Sequence, residues 1–165
     1  MLKLMNKQSE AFAPKQLFSY FALGEAITWG LLISGLVARA LLPTPEMLIT
    51  VVGATHGFMF LSYAVTAALV GVNNRWGLYR TSIGVILAIV PFATIPFEKS
   101  LLKKKMLEGK WRVNKSKDPR DNGLVDSLFR WFINRPVLLV VSLAAFVVVL
   151  FSVLLILGPP DQWGS

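Results

Sequence analysis

Two ionisable side chains stand inside long apolar runs: Glu25 in "FALGEAITWGLLI" and His56 in "VVGATHGFMF". His56 is the only histidine, and the 165 residues contain no cysteine. Those counts exclude a thiolate nucleophile, a disulfide framework and a metal site built from several imidazoles. Proton transfer, ligand contact or polar packing remain. An unpaired charge in hydrocarbon is costly, so Glu25 needs a partner, a proton or a water-filled cavity, which makes it a candidate site.

The elements that must position these groups are membrane spans. Hydrophobic residues make up 55% of the chain, against about 45–50% in ordinary soluble domains. The net charge of +8 is carried mostly between apolar runs, where anionic headgroups account for it better than nucleic acid does. Leu17 to Ala40 is long enough to cross a bilayer. Its length also argues against a signal peptide, despite the preceding lysines and a small-x-small triplet at Ala38 to Ala40. Pro43 and Pro45 make a tight turn, and Leu48 to Val72 is a second span, ended by "NNRWG". Leu78 to Phe97 reads as a third span, kinked by Pro91 and Pro96, with neighbouring helices or Thr94 satisfying the freed carbonyls. Pro136 to Leu157 is the fourth and most apolar. The expected fold is all-α: a polytopic membrane protein with four transmembrane helices and one amphipathic interfacial helix. Its parts are a polar segment 1–16, a three-span unit 17–104, a basic segment 105–135, and the last span with a short tail, 136–165.

Lysine and arginine counts set the expected orientation. Glu98 to Arg135 holds eleven of the seventeen basic residues. Placing it in the cytoplasm puts twelve basic residues inside, Arg39 included, and leaves Lys3, Lys7, Lys15, Arg75 and Arg80 outside. Both termini of this plasma-membrane protein are then outside, although the three N-terminal lysines count against that choice.

Lys99, Lys103, Lys104, Lys105, Lys110 and Arg112 are candidates to bind anionic lipid or a partner. The stretch "NKSKDPRDNG" has no apolar period and is expected to be irregular. Leu124, Val125, Leu128, Phe129 and Phe132 then recur at helical spacing, which predicts an amphipathic helix at the membrane surface with Trp131 at headgroup level. The same apolar face could serve a partner protein.

The short turn makes the first two spans antiparallel neighbours. Glu25 and His56 each lie eight residues into a span, roughly 12 Å from opposite faces. In a core of about 30 Å their depths differ by about 6 Å, so they can meet directly or through a water or Tyr63. Such a pair is either a proton relay or ligand contact, or a polar clamp that fixes helix register. The clamp is preferred, because no further acid or base inside a span continues a relay. Gly53 and Gly57, with Gly24 and Thr28 on the first span, form small-residue strips that favour close packing of these two helices over a pore.

With Gly24 and Glu25, His56, Gly57 and Tyr63, and Pro91, Phe92, Phe97 and Glu98 in this order, the chain resembles the YdzA-like family of small bacterial membrane proteins, over about Leu17 to Lys104. That family has no assigned reaction, so the resemblance implies no catalytic residues. The added basic segment and last span resemble extended actinobacterial forms. This resemblance implies an accessory subunit without catalytic activity or cofactor, packed against a larger complex such as the respiratory supercomplex of a cytochrome bc-type complex (bcc) with a terminal oxidase (aa3). The alternative is a small transporter or proton-handling protein using Glu25 and His56.

Overall fold

The computed structural model describes residues 13–157, so most of the polar segment 1–16, including Lys3 and Lys7, and the tail after Leu157 lie outside the described residues. All regular elements among the described residues are helical. Helix α1 is Pro14–Leu41 and helix α2 is Glu46–Asn73, each of 28 residues. Both are long and apolar enough to cross a membrane: about 42 Å at 1.5 Å per residue against a core of about 30 Å. Pro14 suits the first turn of α1, where its missing N–H would have had no acceptor. Residues 42–45, with two prolines, reverse the chain, and α2 returns antiparallel along α1. Gly24 faces Met59, and Gly35 faces Ile49 and Val52. The end holding Pro14 and Asn73 is called the basic end below, and the turn lies at the far end.

The expected third span is not one helix. Leu78 to Phe97 divides into α3 (Gly77–Ile86), a 3-10 turn (Leu87–Ile89) and, after a reversal at Val90 to Ala93, α4 (Thr94–Lys103). Pro91 offers no N–H to continue α3. Phe92 takes a left-handed φ of 62°, which costs a non-glycine residue about 1–2 kcal/mol. Gly84 of α3 faces Phe97 of α4 across the hairpin. Along α1, Ser19 bonds Glu98, Ala22 bonds Thr94, and Trp29 bonds Ala88. The α3–α4 hairpin therefore enters from the basic end, turns near the middle of α1, and returns to the end it came from.

Apolar surroundings demand partners for the backbone at that turn. Trp29 Nε1 donates to the Ala88 carbonyl at 3.1 Å. The N–H groups of Val90, Ala93 and Ile95 donate to the carbonyls of Leu87, Val90 and Phe92. A neighbouring helix does supply a partner, as expected, but it supports a full reversal where a kink was expected.

Helix α5 is Leu124–Ile133 and helix α6 is Pro136–Leu157. They meet at a bend of 109°, and counting that bent pair as one span brings the spans to three. Phe129 and Ile133 of α5 are buried, while Leu124, Val125 and Leu128 are exposed. Helix α6 packs on α2, with Phe151 seated over Gly57. The glycine strip therefore works differently from the expectation. A Cβ on Gly57 would lie 3.0 Å from the Phe151 ring, whereas one on Gly53 would meet nothing within 4 Å. Gly57 admits α6, and α1 meets α2 through Gly24 and Gly35.

Rings close the basic end of the core. Phe18 lies 5.6 Å from both Tyr63 and Trp76, and Trp76 stands edge-on to Phe97 at 6.1 Å. Leu107, fully buried, packs into the same cluster. Outward residues such as Leu23, Leu31, Val140 and Val149 are more than half exposed, the arrangement of a bundle whose outer surface faces lipid.

Candidate functional site

Glu25 is completely buried where α1, α2 and α4 meet. Its Oε2 is 2.9 Å from the Thr94 hydroxyl, whose one O–H is shared between this carboxyl and the Ala22 carbonyl at 3.2 Å, and Oε1 is buried with no partner. Thr94 begins α4, so the reversal at Pro91 and Phe92 is what brings its hydroxyl to α1. One helical turn further along α4, on the same face, Glu98 accepts a hydrogen bond from Ser19 and is only partly buried. Tyr63 of α2 is fully buried, its hydroxyl has no partner, and its ring lies 5.6 Å from that of Phe18, next to Ser19. Hydroxyls, carboxylates and a phenol thus form a polar column from the basic end to mid-bundle.

His56 sits one turn beyond Glu25. Its Nδ1 is 3.2 Å from Thr28 Oγ1, and the Thr28 hydroxyl lies 2.9 Å from the Glu25 backbone carbonyl. A threonine has one O–H to give, and the carbonyl can only accept. Thr28 therefore donates to Glu25, which assigns the Nδ1–H tautomer to His56 and leaves Nε2 as an acceptor. Trp29 covers the imidazole at a ring distance of 4.4 Å.

Glu25 and His56 are thus brought into one cluster without a direct side-chain bond. The expected depth offset of about 6 Å is close to one helical turn, so the imidazole meets Thr28, one turn on from Glu25. Tyr63 does not bridge the two. Ser19, Thr94 and Glu98 are site residues that sequence reasoning did not select. Their signal is weak, since Thr94 and Glu98 share a face of α4 only if a helix restarts after Pro91.

A second polar cluster orders the segment expected to be irregular. Pro119–Asn122 forms a 3-10 turn that buries Asp121. Asp121 accepts from the Ser116 backbone and hydroxyl, each at 2.6 Å, and pairs with Arg75, Arg112 and Arg130. The two Ser116 hydrogen bonds, helped by Arg75 and Arg130, hold the Asp121 carboxyl well below the usual carboxylate range. Arg112, expected to face lipid or a partner, is turned inward: it donates to the Val72 and Asn73 carbonyls at the end of α2 and pairs with Asp126. Lys99, Lys103, Lys104, Lys105 and Lys110 are exposed.

Arg75 follows α2 in a left-handed conformation with φ 55° and pairs with Asp118 and Asp121. It therefore shares an end with the basic segment and cannot lie across a membrane from it, as the charge count had placed it. The start of α1 is at this end too, through Ser19 and Glu98.

Comparison with known proteins covers the first cluster. The family model "Domain of unknown function (DUF3817)" matches residues 15–103, which contain α1 from its second residue, α2, the hairpin, and every residue of the Glu25 cluster. The Streptomyces coelicolor protein SCO5905, a membrane protein by name, is 38% identical over 82 residues, 49% of this chain and 10% of that protein. The Bacillus subtilis protein YdzA, an uncharacterized membrane protein by name, is 32% identical over 57 residues, 34% of this chain and 59% of that protein. The chain thus spans less than two thirds of either relative. No solved structure matches the chain.

Proposed function

This chain belongs to the DUF3817 family, and from that premise we propose that it is a small proton-handling membrane protein whose exchangeable group is Glu25. The observation that carries this reading is a fully buried carboxylate with one oxygen unpartnered, at the inner end of a polar column that starts at the basic end. An intramembrane acid without a basic partner is a functional group by default. The column lies wholly inside the matched family segment, which favours this reading over a passive accessory subunit of a respiratory assembly.

In the proposed arrangement α1, α2 and α6 cross the membrane and α3–α4 is a re-entrant hairpin. Non-helical backbone at membrane depth is tolerated where protein groups satisfy it, as Trp29 does for Ala88. Fourteen basic residues of the described chain sit at the basic end: Lys15, Arg75, Arg80 and the eleven of Glu98 to Arg135. Arg39 alone is near the far end. The basic end is then cytoplasmic, and the exposed lysines Lys99 to Lys110 lie beside anionic headgroups. Phe129 and Ile133 dock α5 on the bundle, and Trp131 marks headgroup level.

Purified protein in liposomes loaded with a pH-sensitive dye tests the function. Wild type should relax an imposed pH gradient, and Glu25→Gln should assemble normally and fail to relax it. Equal rates would sink the reading. Stoichiometric capture of respiratory subunits, with no flux from the isolated protein, would restore the accessory-subunit alternative.

A further inference from the structure

The polar column is one-sided. From Glu25 toward the basic end it contains Thr94, Tyr63, Ser19 and the partly exposed Glu98. Beyond His56 and Trp29 toward the far end, α1 and α2 meet through Gly35, Ile49 and Val52, and the hydroxyls of Thr50 and Thr55 are turned onto carbonyls of their own helix. The geometry points to Glu98 as the entry group and Tyr63 as the relay that load Glu25 with protons from the basic end in this conformation, while release to the far end, which gradient relaxation needs, requires a second conformation that opens Glu25 there. This rests on the proton-handling reading above and adds the route.

The groups facing Glu25 are few. On its own helix Trp29 stands beside it, α4 offers Thr94 and, one turn on, Glu98, and α2 offers Tyr63, with His56 held by Thr28. His56 is an unsuitable donor, because its Nδ1–H is held by Thr28. The Tyr63 hydroxyl is buried without a hydrogen-bond partner, as Glu25 Oε1 is, and its ring packs on Phe18, the neighbour of the Ser19 that bonds Glu98. Between Tyr63 and the solution at the basic end stand the rings of Phe18, Trp76 and Phe97. Glu98 and Ser19 lie beside that closure and are partly open.

The transfer balances. A proton from water at the basic end binds the Glu98 carboxylate. In one concerted step it passes to the Tyr63 oxygen while the phenolic hydrogen passes to Glu25 Oε1. Glu98 is then again a carboxylate, Tyr63 is unchanged, and Glu25 is neutral. The Tyr63 hydroxyl and Glu25 Oε1 make no hydrogen bond in this structure, so each hop runs through a bridging water.

Infrared spectroscopy of the full chain in oriented bilayers can follow this loading. The carbonyl band of protonated Glu25 is identified by its loss in Glu25→Gln, and its appearance is timed after a pH jump on the basic side. Glu98→Gln and Tyr63→Phe should each slow the band by about tenfold or more, the scale of losing one proton-transfer group, and Glu98→Asp should recover part of the rate. Tyr63→Phe keeps the ring packed on Phe18, so it isolates the hydroxyl. Wild-type rates in both variants would overturn the route while leaving Glu25 as the exchangeable group. A wild-type protein without any pH-dependent Glu25 band would overturn the proton-handling reading and the route together.

Discussion

Thr28 holds His56 by Nδ1 at 3.2 Å while giving its own proton to the backbone of Glu25, so acid and imidazole share one residue without touching. The register of α1 on α2 is fixed through this hydroxyl. Thr28→Val keeps the shape and removes the acceptor for Nδ1–H. Hydrogen bonds between membrane helices are worth about 0.6 kcal/mol on average and up to about 2 kcal/mol, and the loss should fall in that range by reversible unfolding in detergent. In a double-mutant cycle with His56→Gln the two changes should be non-additive. Full additivity would show that the contact contributes nothing.

Glu25→Leu separates stability from function. Thr94 retains the Ala22 carbonyl as acceptor at 3.2 Å, and a buried polar group is replaced by an apolar one of similar size. Burying an unpaired carboxyl is costly, so its apolar replacement removes a penalty. Thermal unfolding should therefore show a protein at least as stable as wild type, with no proton flux. A variant that no longer assembles would make Glu25 a structural clamp.

Trp29→Phe should loosen the hairpin tip specifically. The ring still fills space beside His56, but the Ala88 carbonyl loses its donor, a loss of about 1–3 kcal/mol when such a group stays buried. Amide hydrogen exchange should rise over residues 86–93 and stay unchanged in α2. Uniform acceleration along the chain would contradict a local latch.

Gly57→Leu and Gly53→Leu should differ sharply. Gly57 faces the Phe151 ring and Gly53 faces open space, so overpacking of about 1–3 kcal/mol is expected at Gly57 alone. Phe151→Ala should rescue Gly57→Leu. Equal penalties at the two glycines would show that α6 is not seated on Gly57.

The Asp121 cluster gives a pH dependence with a defined sign. Its carboxyl is depressed in the folded chain, so its contribution is fully present above the unfolded value of about 3.9 and is lost as pH falls below that toward the folded value. Ordering of the segment around Pro119–Asn122, read from amide hydrogen exchange over residues 114–123 corrected for its intrinsic pH dependence, should therefore hold at neutral pH and fail only in acid. Asp121→Asn should leave that segment exchanging fast at every pH.

The two long helices and α6 were legible because their apolar runs satisfy a length that few other structures need. The hairpin was not. Leu78 to Phe97 has the same length and hydropathy as a span, and what distinguishes it is the left-handed Phe92 beside Pro91, with Trp29 ready to receive the exposed carbonyl. Glu25 and His56 could be selected as single intramembrane ionisable groups, but their partners depend on a one-turn offset and on a helix restarting at Thr94. The Asp121 cluster was hidden for another reason. Arg75, one of its arginines, is 46 residues away in sequence and enters only because it leaves α2 at the end where the basic segment lies.

Both feet of the α3–α4 hairpin stand at one end of the bundle, and this simplifies how the chain is put into a membrane. In the proposed orientation only the turn 42–45 and the flanking helix ends, with the single opposite charges Arg39 and Glu46, must be carried through the bilayer between α1 and α2. The hairpin needs no translocation, because it can fold into the bundle from the side on which its ribosome stands. Apart from Arg39, Glu46 and the buried Glu25, the charged residues of the α1–α2–hairpin unit then stay on the side of synthesis.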